Sequence, residues 1–175
     1  MKPLLLIVLL TVAIAACGTS SASSSSSSAA PTTKSGSTAA SGRACGAVPQ
    51  SKISAVAGFG ILTTQETDVT GGTSPADICE YVGLGGQALS VDRFGSGVSF
   101  DDMAKVQFGS ATPQAVSGVG DRAEFVFKTT GGNPDAELLA QKGQKLVLVI
   151  YIAPNLTGKD GMQTDSQVAN LELAA

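Results

Sequence analysis

A chain with no histidine has to do any chemistry with carboxylates, lysines, hydroxyls or thiols. That absence removes Ser-His-Asp and Cys-His nucleophilic catalysis, histidine-ligated metals and the usual acid–base group near neutral pH. A carboxylate design is left, and an enzyme of that kind should bring two or more of Glu66, Asp68, Asp77, Glu80, Asp92 and Glu124 into one cleft. A binding domain need not. No Ser-Lys arrangement stands out by its spacing, because the lysines fall mostly at turns or on polar faces.

Two motifs imitate ligand sites. Gly118-Val119-Gly120-Asp121-Arg122-Ala123 carries the letters of the dinucleotide-binding G-x-G-x-x-A fingerprint. That fingerprint works only where a helix N-terminus follows the glycines and meets the pyrophosphate, and here the chain continues with period-2 alternation. The reading is a tight turn in which Gly supplies positive φ and Asp121 hydrogen-bonds its own turn. Asp160 and Asp165 flank a Gly-containing stretch and raise calcium, but an EF-hand needs further oxygen ligands at alternating positions and a closing Glu, so a solvated loop is expected. Asn155-Leu156-Thr157 fits a eukaryotic glycosylation sequon and carries no weight behind a bacterial signal. No cofactor or metal site follows from these residues.

The N-terminus is more specific. Lys2 precedes the apolar run Leu4 to Leu10 and then small residues, the layout of a secretory signal and too short for a membrane span of about 20 residues. The tetrad Ile14-Ala15-Ala16-Cys17 resembles the lipobox of bacterial lipoproteins. The resemblance implies cleavage after Ala16 and a thioether-linked diacylglycerol, with palmitate-type chains, on Cys17. Two acyl chains on one residue exceed the marginal grip of a single chain, so the membrane becomes a stable partner. The expected location is the extracytoplasmic face of the cell membrane. Gly18, standing where Asp would signal inner-membrane retention, leaves an outer-membrane destination open in a Gram-negative host.

Gly18 to Arg43 holds 11 Ser among 26 residues, with no aromatic residue and only Lys34 and Arg43 charged, so no apolar surface offsets the entropy of ordering. It is expected to be a disordered tether with a root-mean-square reach of roughly 28 Å. With Cys17 assigned to lipid, the remaining Cys45 and Cys79 of an exported chain read as one disulfide. They lack the C-x-x-C spacing that redox exchange requires.

Residues Ala44 to Ala175 remain for one globular domain. Pro49 to Gly58 has the periodicity of a short helix, and Ile78–Val82 with Gln87–Phe94 reads as a hairpin around Gly83 to Gly86. Asp101 and Asp102 suit the start of a helix running Asp102 to Phe108. After the Ser117 to Asp121 turn, Arg122 to Lys128 alternates with Ala123, Phe125 and Phe127 on one face. Glu137–Gln141 and Lys145–Ile152 flank a Lys142-Gly143-Gln144 turn. A last helix is expected from Asp165 or Ser166 through Leu173, with Val168, Leu171 and Leu173 inward. The fold class is α+β, an antiparallel sheet with two or three short helices packed on it.

A Cys ahead of a short helix, the strand opening Cys79-Glu80-Tyr81, the Val116 to Ala123 turn and the Lys142-Gly143 turn before a Val-rich strand together resemble the small actinobacterial lipoproteins of unknown function. Those are similar in layout to extracellular sensor domains of some mycobacterial kinases. The resemblance implies a two-layer fold at the cell surface and names no catalytic residue.

Residues Ala44 to Ala175 carry eight basic against fourteen acidic side chains, a net of −6, so the basic footprint that nucleic acid demands is absent. The favoured expectation is a non-catalytic domain that binds a cell-envelope ligand or a membrane protein. A carboxylate-based envelope hydrolase and a lipid or hydrophobe carrier are the alternatives, the carrier requiring a large apolar cavity.

Overall fold

Strict alternation fails where a strand is covered on both faces, and Lys145–Ile152 is such a strand: Leu146, Val147, Leu148 and Val149 are each no more than 2% exposed. It lies at the centre of the sheet in a computed structural model that describes residues 44–70 and 74–175. The signal segment, Cys17 and the tether expected over residues 1–43 lie outside the described residues.

In chain order the elements are α1 (Ala44–Ala47), α2 (Gln50–Ala57), β1 (Ile61–Val69), β2 (Ala76–Gly83), β3 (Ala88–Phe94), α3 (Phe100–Phe108), β4 (Gln114–Ala115), β5 (Arg122–Thr130), β6 (Asn133–Lys142), β7 (Lys145–Ile152) and α4 (Gly158–Ala174). Seven strands form one antiparallel sheet in the order β1-β2-β3-β7-β6-β5-β4. Two meanders, β1 to β3 and β4 to β7, join where β3 pairs with β7, Val91 opposite Val149. The α+β class expected from the sequence is the observed one, with four helices of which α4 has 17 residues.

Each face of the sheet has its own core. On one face α1, α2 and α4 cover Cys79, Tyr81, Leu89, Val91, Leu138 and Val149. On the other, α3 lays Phe100, Met103 and Phe108 over Val126, Leu139, Leu146 and Leu148. Both clusters use β6 and β7, which explains their near-continuous burial. The Cys45–Cys79 disulfide ties α1 to β2 with S–S 2.02 Å, as the cysteine count suggested.

Three sequence readings are corrected by local physics. The last helix starts at Gly158, not at Asp165 or Ser166. Thr157 caps it, its Oγ1 accepting from the Asp160 N–H at 3.2 Å and donating to Asp160 Oδ2 at 2.7 Å. The supposed Asp160–Asp165 loop is therefore the first two turns of α4. Gly161 lets that helix approach β6 closely, because a Cβ there would collide with Ala136 Cβ. Second, Asp121 does not hydrogen-bond its own turn: its Oδ2 accepts from the Gly143 N–H at 2.8 Å, and so ties the turn before β5 to the β6–β7 turn. The chain after Gly120 is strand β5, as the rejected dinucleotide reading required. Third, α3 begins at Phe100, two residues early, because Ser99 rather than an Asp caps it, accepting from Asp102 N–H at 3.4 Å.

Candidate functional site

Two side chains with raised pKa values, Glu172 and Tyr81, lie with Arg93 and Lys145 where α4 ends. Arg93, in β3, points to the same face as Tyr81 and Cys79 and lies directly opposite Asp77 of β2. Its Nε is 3.2 Å from Glu172 Oε2, and its Nη2 donates to the Glu172 backbone oxygen at 3.3 Å. Lys145, at the start of β7, donates to the Leu173 backbone oxygen at 3.5 Å. Both cations thus sit on the orphan carbonyls of the last turn of α4, where the helix dipole favours positive charge.

Glu172 is the anomaly. Its side chain is 0% exposed, and although Arg93 is close, the Nε–H is not aligned for a hydrogen bond, so neither carboxylate oxygen has one among the described residues. Burial pushes its pKa up to about 7, with Arg93 opposing. Tyr81 stands behind it, fully buried with its hydroxyl unpaired. Its pKa is raised to about 12, by burial first and then by the charge of Glu172, against the pull of Arg93.

Around Arg93 and Glu172 opens a solvent-facing cleft of about 580 Å³. Asp77, Arg93, Lys145 and Glu172 supply its charge, and Pro75, Phe94, Leu146 and Val147 supply its apolar wall. A second open cleft of about 440 Å³ lies beside Phe127 and Met162 and holds only Lys159 as a charged lining residue.

Of the six acids picked from the sequence, Asp77 alone lines the charged cleft. Asp68 is the direct partner of Asp77 on β1 but does not line the cleft, and Glu66 sits two residues further along, opposite Cys79. Glu80 and Asp92 belong to the other face of the sheet, where Ser90 Oγ donates to Asp92 Oδ1 at 2.7 Å and burial raises the Asp92 pKa, Ser90 opposing and Glu80 reinforcing. Glu124 is held by Arg122 at 2.7 Å. Arg122 also binds Asp101 at 2.7 Å and lies 4.0 Å above the Phe100 ring, so it pins the start of α3 to β5.

Sequence reasoning missed Glu172 and Arg93. The signal for Glu172 was present: Asp165, Val168, Ala169 and Glu172 follow helical spacing, and all four are 0% exposed. An acid on an apolar stripe is visible only when the right face of the helix is turned inward. Asp165 belongs to the same stripe. Neither of its oxygens has a hydrogen bond among the described residues, and its pKa is raised well above the usual carboxylate range by burial, then by Asp135 and Glu137. Asp135 is itself raised to about 6 by burial first, while Glu137 pairs with Lys128.

No group of three or more His, Cys, Asp or Glu among the described residues is arranged to hold a metal ion, and no described helix is long and apolar enough to cross a membrane. Comparison of the chain with protein-family models, with curated proteins and with solved structures finds no match.

Proposed function

We propose that this chain is a lipid-anchored extracytoplasmic domain that binds a cell-envelope ligand in the Arg93–Lys145 cleft and carries out no covalent chemistry. The observation that carries the reading is the composition of that cleft: paired charges of both signs beside an apolar wall, in a pocket large enough for a small molecule or a short linear segment. A hydrolase would want two free carboxylates converging on one cleft, and here Asp77 lines it without Asp68, its exposed cross-strand neighbour, while Glu172 is fully buried against Arg93. Carriage of a lipid is less favoured, since Tyr81, Leu89, Leu138, Val149 and Val168, each at most 1% exposed, fill the space between sheet and helices.

Anchoring rests on the Ile14 to Cys17 tetrad and on the resemblance to surface lipoproteins. The disulfide agrees with an oxidising compartment. The reading is tested in two steps. Cys17→Ala should leave an uncleaved or soluble precursor, and mature protein still in the membrane fraction would contradict the anchor. Protein extracted from its host's membrane should carry a non-covalent ligand whose retention falls when Lys145 becomes Gln, and a ligand retained equally by that variant would remove the cleft as the binding site.

A further inference from the structure

We infer that the cleft at the end of α4 receives a zwitterion of the peptide class, with Asp77 taking its ammonium group and Arg93 with Lys145 taking its carboxylate. The inference rests on the binding-domain reading above and adds the chemistry of the ligand.

The charges in the cleft are segregated by strand. On the β1–β2 side Asp77 lines the cleft, with Asp68 directly opposite it on the ladder but not among the lining residues, and no ion pair engages either carboxylate among the described residues. Like charges directly opposite are unfavourable in a sheet, so a cation arriving here relieves repulsion as well as gaining attraction. On the β3–β7 side stand Arg93 and Lys145. Glu172 lies beside Nε of Arg93 and engages Nη2 through its backbone oxygen, and Lys145 gives one proton to the Leu173 oxygen, which leaves Nη1 and the other protons of the exposed Lys145 ammonium for an anion.

A simple anion entering this cleft would meet Asp77, and a simple cation would meet Arg93 and Lys145. A neutral sugar would desolvate both sets without neutralising either. A molecule with one charge of each sign satisfies both. β2 and β7 are two strand spacings apart, roughly 10 Å. An extended peptide covers at most about 3.5 Å per residue, so a dipeptide reaches about 7 Å, between the single strand spacing of about 5 Å from Asp77 to Arg93 and the double spacing to β7, and a tripeptide covers the longer span. Pro75 provides an apolar surface beside these charges.

Titration calorimetry of the full-length, detergent-solubilised protein with alanyl-alanine tests the assignment. The free dipeptide is expected to bind, and N-acetylation or C-terminal amidation should each weaken binding about tenfold or more, the loss typical of one charge-assisted hydrogen bond. Asp77→Asn should bind the free and the N-acetylated dipeptide equally, and Lys145→Gln should lose most of its preference over the amide. An unchanged unfolding midpoint shows that each variant is folded. Blocked and free dipeptides binding alike, or Asp77→Asn still rejecting the acetylated form, overturns the zwitterion assignment. A co-purifying ligand of a single charge or none, lost from Lys145→Gln, overturns it too while the binding-domain reading stands. No ligand retained and no heat with the dipeptide defeats both.

Discussion

Replacing Glu172 by Gln removes a charge that the native state has to bury. The carboxyl is 0% exposed, has no hydrogen bond, and has its pKa raised by burial from 4.5 to about 7 with Arg93 only partly opposing. Because the folded value lies above the unfolded one, the native state binds this proton more tightly. The stability it contributes is complete below about pH 4.5 and is lost as pH rises through about 7. A displacement of that size corresponds to about 3 kcal/mol. Urea unfolding of wild type and Glu172→Gln at pH 5 and pH 8 isolates it, since Gln preserves shape and an acceptor for Arg93. Near pH 5 the two proteins should differ little. Near pH 8 the variant should gain on wild type by about 2 to 3 kcal/mol. Equal differences at the two pH values would refute the reasoning, and would mean that the carboxylate is as well solvated in the fold as in water.

Reduction of Cys45–Cys79 releases a loop of sequence separation 34 and should lower stability by about 4 kcal/mol in the chain-entropy account, read as a fall in Tm by calorimetry. A Tm unmoved by reductant would mean that the bond constrains nothing. Gly120→Ala should destabilise by about 2 kcal/mol or more, because Gly120 has φ +56° and a Cβ there would strike the Gln141 carbonyl oxygen; an unchanged urea midpoint would contradict that geometry. Asp165→Asn removes an acid whose raised pKa makes wild-type stability fall as pH climbs, so its unfolding midpoint should gain on wild type as pH is raised from the acid to the alkaline side. A constant gap across that range would count against a buried neutral Asp165.

The fold was legible wherever an element has a water-facing side or a clear turn. β2, β3 and β5 alternate, and the turns around Gly85 and Gly143 separate β2 from β3 and β6 from β7, so hairpins and class could be read from the residues. β1 escaped because its sequence, ILTTQETDV, is mostly polar and exposed at the sheet edge, and only pairing with β2 makes it a strand. The start of α4 escaped because Gly158 and Gly161 look like loop residues until the Thr157–Asp160 cap and the close approach to Ala136 are seen. The expected helix, Asp165 or Ser166 through Leu173, already contained Glu172 but turned Val168, Leu171 and Leu173 inward, and so left the acid off the buried face. Arg93 carried no local signal at all, since its role depends on a helix end 79 residues away in sequence.

The central claim, a lipid-anchored domain with an occupied cleft, meets its most direct test in native mass spectrometry of full-length protein gently extracted from its own host's membrane, repeated after denaturation. The account predicts a mature chain beginning at Cys17 and bearing diacylglycerol mass, with additional non-covalent mass that leaves on denaturation. A chain that retains residues 1–16 without acyl mass, or a mature domain with nothing bound, would contradict it.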